Sequence, residues 1–209
     1  MVFTFSEEFL YSVAREYFRH SAGAKRPDLL EAAEAARLAI LPKLALQASA
    51  VEYSGFYCPA ECTAFAQLNR AAVDRSYVFS LTAGELPSLK DDPLGAFLAD
   101  AWATAYIDAA RDALEGALRD MTEDGLSLSA AFGPGFYGMA LECAKDICAA
   151  AKSGLIGVTV MDAGLMLPLK SVCGMYFVAE PSAVRLDPAC SACTGNPRGC
   201  KFCKLRRQK

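Results

Sequence analysis

The sequence predicts an α+β fold, and three observations carry that reading. Helical periodicity fills the opening forty or so residues and returns over 94–118. Runs rich in β-branched and aromatic residues stand at 76–84 and again beyond 156. Helices and strands show no regular alternation, which argues against a βαβ plan and for segregated elements.

From Glu7 to about Arg19, Phe9, Leu10, Val13, Tyr17 and Phe18 recur at helical spacing, with Ser6 placed to cap the start. A break at 21–24 leads to Pro27-Asp28 and a second helix from Leu29 to about Leu41, rich in Ala, Leu and Glu, which Pro42 closes. Leu44-Ala45-Leu46 and Val51-Glu52-Tyr53 suit short strands with a turn near Gly55. The run Ser76 to Gly84 is a stronger strand, ended by its glycine. Leu94 to Leu118 bears the longest helical stripe, including Phe97, Leu98, Trp102, Tyr106 and Leu114, and is expected to be the spine of the domain. A helix over about Ala140 to Ala151, ended by Gly154, precedes strand-like runs at Ile156–Val160 and Ser171–Val178. Met166 and Met175 are expected in the core.

At 209 residues with 54% apolar and 22% charged side chains, the chain can bury the core of one compact domain. The net charge of -3 and the scattered basic residues exclude a nucleic-acid interface, which needs a basic face. The start lacks a basic segment followed by an apolar run, and no stretch reaches the roughly 18 apolar residues of a membrane span. A cytoplasmic location is therefore expected, without a membrane partner. In a reducing compartment the nine cysteines would be thiols or metal ligands.

Two segments could carry chemistry. Near the end, Cys190-Ser191-Ala192-Cys193 and Cys200-Lys201-Phe202-Cys203 form paired C-x-x-C hooks. Such hooks can wrap four thiolates around zinc or an iron–sulfur cluster, and spacing does not choose between them. Free thiols on a basic tail are the other reading. With four cysteine ligands, a structural role is expected because no coordination site stays open.

The second segment is the turn Ala131-Phe132-Gly133-Pro134-Gly135-Phe136-Tyr137-Gly138-Met139-Ala140. Its glycines allow backbone close to a ligand, and the helix that follows offers amide donors to an anion. A tight turn that merely enters a helix would have the same composition. His20, the only histidine, gives a catalytic triad nothing to build on and suits a helix-end or surface role. Cys58, Cys62, Cys143 and Cys148 fit packing or exposed thiols.

The order of elements and three stretches resemble the activation domain of cobalamin-dependent methionine synthase and its single-domain bacterial relatives, over nearly the whole chain. The stretches are the glycine turn, Met166-Leu167-Pro168-Leu169-Lys170-Ser171-Val172-Cys173-Gly174-Met175-Tyr176-Phe177, and the cysteine-bearing tail. The resemblance implies an activation-domain-like α+β domain over 1–188, its helices packed on a mostly antiparallel sheet, and a Cys-rich basic tail over 189–209. It also implies an accessory role in corrinoid-dependent methyl transfer. The domain would bind S-adenosylmethionine in a shallow groove and dock on a corrinoid-binding protein or methyltransferase, whose cobalamin it helps to reactivate reductively.

The implied ligand-binding residues are Phe132, Gly133, Pro134, Gly135, Phe136, Tyr137 and Tyr176, with metal ligands at Cys190, Cys193, Cys200 and Cys203. No catalytic residue is assigned. Departures fall on the ligand contacts: Ala131 stands at the family's arginine, Phe136 at a tyrosine, Ala140 at a proline, and Thr104 at a helix glutamate. Each buried charge-assisted hydrogen bond lost costs roughly 1.5–3 kcal/mol, or about one to two orders of magnitude in affinity. Two rival functions follow. One is an iron–sulfur electron-transfer protein built on the tail, and the other is a non-catalytic module that binds a different small molecule.

Overall fold

The computed structural model describes residues 1–21, 29–59, 70–89, 91–135 and 139–180. The elements run in the order β1 (Val2–Thr4), α1 (Glu7–Ser21), α2 (Leu30–Ile40), β2 (Gln47–Ser54), β3 (Val73–Thr82), α3 (Pro93–Asp120), β4 (Ser127–Leu128), α4 (Cys143–Ala150), β5 (Thr159–Val160), β6 (Met166–Leu167) and β7 (Ser171–Ala179). One sheet has the strand order β1-β2-β3-β7-β4, and β5 with β6 forms a small ribbon. Every pairing is antiparallel. The α+β expectation holds, with helices on an antiparallel sheet.

Local chemistry accounts for the helix ends. The Ser6 hydroxyl accepts from the Phe9 N–H at 3.2 Å, the cap expected at the start of α1. Asp92 caps α3 by accepting from the Gly95 N–H at 2.9 Å, and Pro93 occupies the first turn. Helix α2 ends at Ile40, where a 3-10 turn over Leu41–Lys43 takes in Pro42.

The alternation of the strands divides the interior in two. On one face Ala48, Ala50, Tyr77, Phe79, Leu81, Tyr176 and Val178 pack beneath α1, α2 and α3. Trp102 of α3 anchors that layer: its indole N–H donates to the Ala33 carbonyl at 2.8 Å, and Phe18 stacks on it at 4.1 Å. The opposite face carries Val78, Cys173, Met175 and Phe177 against Cys143, Ile147 and Cys148 of α4. Met175 is buried, as expected, and Met166 packs half-buried against the same core. The sheet is thus sandwiched, and β7 lies inside it between β3 and β4.

Three local expectations need correction. The two short strands expected around 44–53 are one strand, Gln47–Ser54, fixed by its long register with β3. The run Ile156–Val160 begins as a 3-10 turn, Ser153–Ile156. Gly157 then takes a positive φ of 72°, so only Thr159–Val160 remains extended. Helix α4 starts at Cys143 and stops before Gly154, because Lys152 already turns left-handed at φ 55°.

Among the described residues, no helix is long and apolar enough to cross a membrane.

Candidate functional site

Beyond β4 the chain stays alongside β7 and becomes the glycine turn. The Ser129 N–H donates to the Phe177 carbonyl at 2.8 Å, and the Phe177 N–H donates to the Ser129 hydroxyl at 2.8 Å. Three residues on, the Phe132 N–H donates to the Met175 carbonyl at 2.9 Å and the Met175 N–H returns the bond at 2.8 Å. The two backbones are nearly in contact here. A β-carbon on Gly133 would stand 2.6 Å from the Cys173 carbonyl oxygen, and one on Gly174 would stand 2.3 Å from that of Phe132. Only glycine allows this approach on either side.

The turn continues through Pro134, half-buried, to Gly135, exposed at φ 82°. The Gly135 N–H donates to the Met139 carbonyl at 2.9 Å, which closes the loop. Phe136 and Tyr137 lie outside the described residues, as do Cys190, Cys193, Cys200 and Cys203. The amide donors expected ahead of α4 are already engaged. The Cys143, Ala144 and Lys145 N–H groups donate to the carbonyls of Ala140, Leu141 and Glu142 at 3.2, 3.0 and 3.2 Å.

Strand alternation separates Tyr176 from this turn. The Phe132 and Phe177 rings pack tilted, 5.4 Å apart, on the α4 face, whereas Tyr176 points to the α3 face and packs on Phe79 at 5.1 Å. Tyr176 and Phe132–Gly135 are joined through the β7 backbone, not through side chains. Ala131, at the position of the family's arginine, packs on the Tyr176 side. The Tyr176 ring is 0% exposed, and its hydroxyl has no hydrogen-bond partner among the described residues. Burial pushes its pKa above the usual tyrosine value, and the nearby Glu115 charge adds to that.

The charges that bear on Tyr176, those of Glu115, Arg111, Asp112 and Arg119, all come from α3, and sequence reasoning missed them. The Arg111 guanidinium bonds Asp108 at 3.0 Å and reaches Asp112 at 3.6 Å. Asp112 in turn accepts the Tyr17 hydroxyl at 2.5 Å, which ties α1 to α3. Burial works against the Arg111 charge, but Asp108 and Asp112 outweigh it and hold its pKa above the ordinary value. Burial raises the Asp108 carboxyl, and Arg111 offsets part of the rise. Tyr17 is pushed up to about 12, first by burial and then by its bond to Asp112. The i,i+3 spacing of Asp108 and Arg111 was visible in the sequence as an ion-pair signal. Which side of α3 would meet β7 was not.

Farther along, the Lys170 ammonium pairs with Asp100 at 2.7 Å and donates to the Thr104 hydroxyl at 3.1 Å. Thr104, at the family's glutamate position, is therefore engaged by a neighbouring cation.

Where α3 lies over the Tyr176 face of the sheet, this seam offers the Arg111 guanidinium as donor and Asp108 and Asp112 as acceptors, and the buried Tyr176 hydroxyl, without a partner among the described residues, belongs to the same layer. That set suits the carboxylate and ammonium of an amino-acid end. His20 lies exposed on the last turn of α1, with its Nδ1 2.7 Å from the Glu16 carbonyl oxygen. Cys143, Cys148 and Cys173 are buried in the α4 core as packing residues, and the hydrogen bond that the Cys173 thiol donates to Cys148, together with burial, drives the Cys173 pKa up. Among the described residues, no three histidine, cysteine or acidic side chains gather as a metal site.

Neither a protein-family model nor a curated protein matches the chain. Among solved structures it is similar to the MetH reactivation domain bound to AdoHcy, with a TM-score of 0.56 and 13% identity over 88% of this chain and 79% of that one. At that identity the likeness is one of fold: helices with a curled antiparallel sheet.

Proposed function

We propose that the chain is an accessory protein of corrinoid-dependent methyl transfer. It docks on a corrinoid-binding protein or methyltransferase and supports reductive reactivation of the cobalamin held by that partner, with S-adenosylmethionine as methyl donor. The observation that carries this reading is the fold, shared over 88% of the chain with a reactivation domain whose structure contains AdoHcy. AdoHcy is what S-adenosylmethionine becomes once its methyl group has left.

The residues present fit such a ligand at its amino-acid end. The orphaned Tyr176 hydroxyl and the Arg111 guanidinium can donate to a carboxylate, and Asp108 can accept from an ammonium. These groups would replace the arginine absent at Ala131. The turn Phe132–Gly135, with Phe136 and Tyr137 beyond it, would supply a backbone edge. When bound, the sulfonium supplies an electrophilic methyl group. The chain orients it and keeps water away, and no side chain acts as acid or base.

Calorimetric titration with S-adenosylmethionine and AdoHcy tests the cosubstrate. Saturable binding, weakened about tenfold or more in Arg111→Met and Tyr176→Phe, is the expected result. Absence of heat at millimolar ligand removes the methyl donor from the proposal and favours a module with another ligand. Docking is tested separately, by adding the cobalamin-loaded module of a methionine synthase and following the cobalt spectrum. An unchanged spectrum together with no co-elution would refute the partner.

A further inference from the structure

A cleft of about 620 Å³ opens at the Lys170 end of β7, outside the Arg111–Tyr176 seam. That volume lies within the range of roughly 300–1,000 Å³ typical of small-molecule sites. Its depth comes from small residues. Ala96 and Ala99 of α3 line it beside Ile40, where larger side chains would fill the space. One wall is the loop 84–89 that follows β3, and the other is the segment 167–170 that leads into β7. Leu86 and Leu169 give these walls apolar surface, Leu169 being 69% exposed.

The charges on the lining are unequal. Lys170 is the cation of the cleft, and its ammonium is already bound to Asp100 at 2.7 Å and to Thr104 at 3.1 Å. Glu85 also lines the cleft and has no ion pair or hydrogen bond with any described residue. Glu85 is exposed at the rim, and among the described residues its charge has no counterion. The loop backbone is open in both senses, so the sign of the rim is set by Glu85: among the described residues, the carbonyls of Glu85, Leu86, Pro87 and Ser88 accept no backbone hydrogen bond, and the N–H groups of Glu85, Leu86, Ser88 and Leu89 donate none. An ammonium, with three N–H donors and no acceptor, matches such a rim. An anion could take the loop N–H groups, but it would meet the Glu85 charge and find Lys170 already engaged by Asp100.

We propose that this cleft binds a small monocation with an apolar body, a hydrocarbon primary amine in chemical class. Its chain lies over Ala96 and Ala99, and its ammonium is held by Glu85 and the open carbonyls of the loop. The site is separate from the one proposed for S-adenosylmethionine, and neither depends on the other.

Three probes of equal length separate charge from apolar contact: hexylamine, hexanol and hexanoate, titrated into the 15N-labelled full chain and followed by amide NMR. Hexylamine is expected to shift Leu86, Ala99 and Leu169 saturably and about threefold to fivefold more tightly than hexanol, as suits a partly exposed ion pair. Hexanoate is expected to bind more weakly than either. Glu85→Gln brings hexylamine down to the level of hexanol and leaves hexanol unchanged. Ala99→Leu removes binding of all three by filling the floor, and Ala96→Leu serves if that variant fails to fold. Equal or tighter binding of hexanoate overturns the proposal, and so does the absence of any shift in these amides. S-adenosylmethionine binding that is unchanged in Glu85→Gln shows that the two sites stand or fall separately.

Discussion

Substituting Gly174 by alanine perturbs the point where the glycine turn and β7 touch. The added β-carbon would stand 2.3 Å from the Phe132 carbonyl oxygen and 3.1 Å from the Phe79 ring. The ring can shift, but the carbonyl is backbone and already accepts the Met175 N–H at 2.8 Å. Parting the strands enough to admit the methyl group stretches that bond and its reciprocal, Phe132 N–H to the Met175 carbonyl at 2.9 Å. Overpacking of a tight core costs about 1–3 kcal/mol, and each weakened hydrogen bond up to about 0.5–1.5 kcal/mol. Alanine regains up to about 1 kcal/mol through lower chain entropy in the unfolded state. A net loss of about 1–5 kcal/mol follows. Urea unfolding measures it as a fall in midpoint at constant m-value. Gly154→Ala is the control, because its β-carbon meets nothing within 4 Å, and it is expected to stay within about 0.5 kcal/mol of the parent. Gly133→Ala strains the same contact, so the double variant should lose less than the sum of the two. If Gly174→Ala unfolds within about 0.5 kcal/mol of the parent, the close approach is refuted.

Tyr17 should titrate near 12 rather than 10.0, visible as one late-shifting resonance in 13C-tyrosine NMR that vanishes in Tyr17→Phe and moves earlier in Asp112→Asn. Because the folded phenol holds its proton more tightly, this contribution to stability is complete below pH 10 and lost as pH rises toward 12. Glu34 has the opposite sign. Its hydrogen bonds from Arg37 lower its pKa below the ordinary 4.5, so its contribution is present above pH 4.5 and lost as pH falls through the lowered value. With Glu34 44% exposed, Glu34→Gln should flatten the acid limb of a urea-midpoint profile by no more than about 1 kcal/mol, and an unchanged slope would count against the pair. For the tail, a four-thiolate site at Cys190, Cys193, Cys200 and Cys203 predicts one zinc ion or one iron–sulfur cluster per chain by elemental analysis and visible absorption. Cys193→Ser should abolish it, and a metal-free, colourless protein purified anaerobically would remove the site.

Elements with dense local signals were legible, and those created by pairing were not. Helix α3 could be read because apolar residues recur over its whole length, and Ser6 and Pro42 mark helix ends by local chemistry. Periodicity placed some exposed residues inward, among them Phe9 at 71% and Val13 at 40% on α1 and Phe97 at 60% on α3. By contrast, β1 has three residues and β4 has two, and each exists because β2 or β7 offers it a register. No short window contains that information. The same limit governs the site. The glycines at 133 and 174 could be recognised as permissive, but their mutual contact joins positions far apart in the chain. Tyr176 could be placed on a strand, yet its face follows from which neighbours β7 pairs with, since a shift of one residue would turn it toward α4. Arg111 and Asp108 look like any solvated i,i+3 pair on a long helix. The Arg111 charge bears on Tyr176 only because β7 turns that phenol toward the α3 layer. In this fold the chemistry of the seam is a product of strand register, so a variant that alters the register should change ligand binding before it alters any contacting side chain.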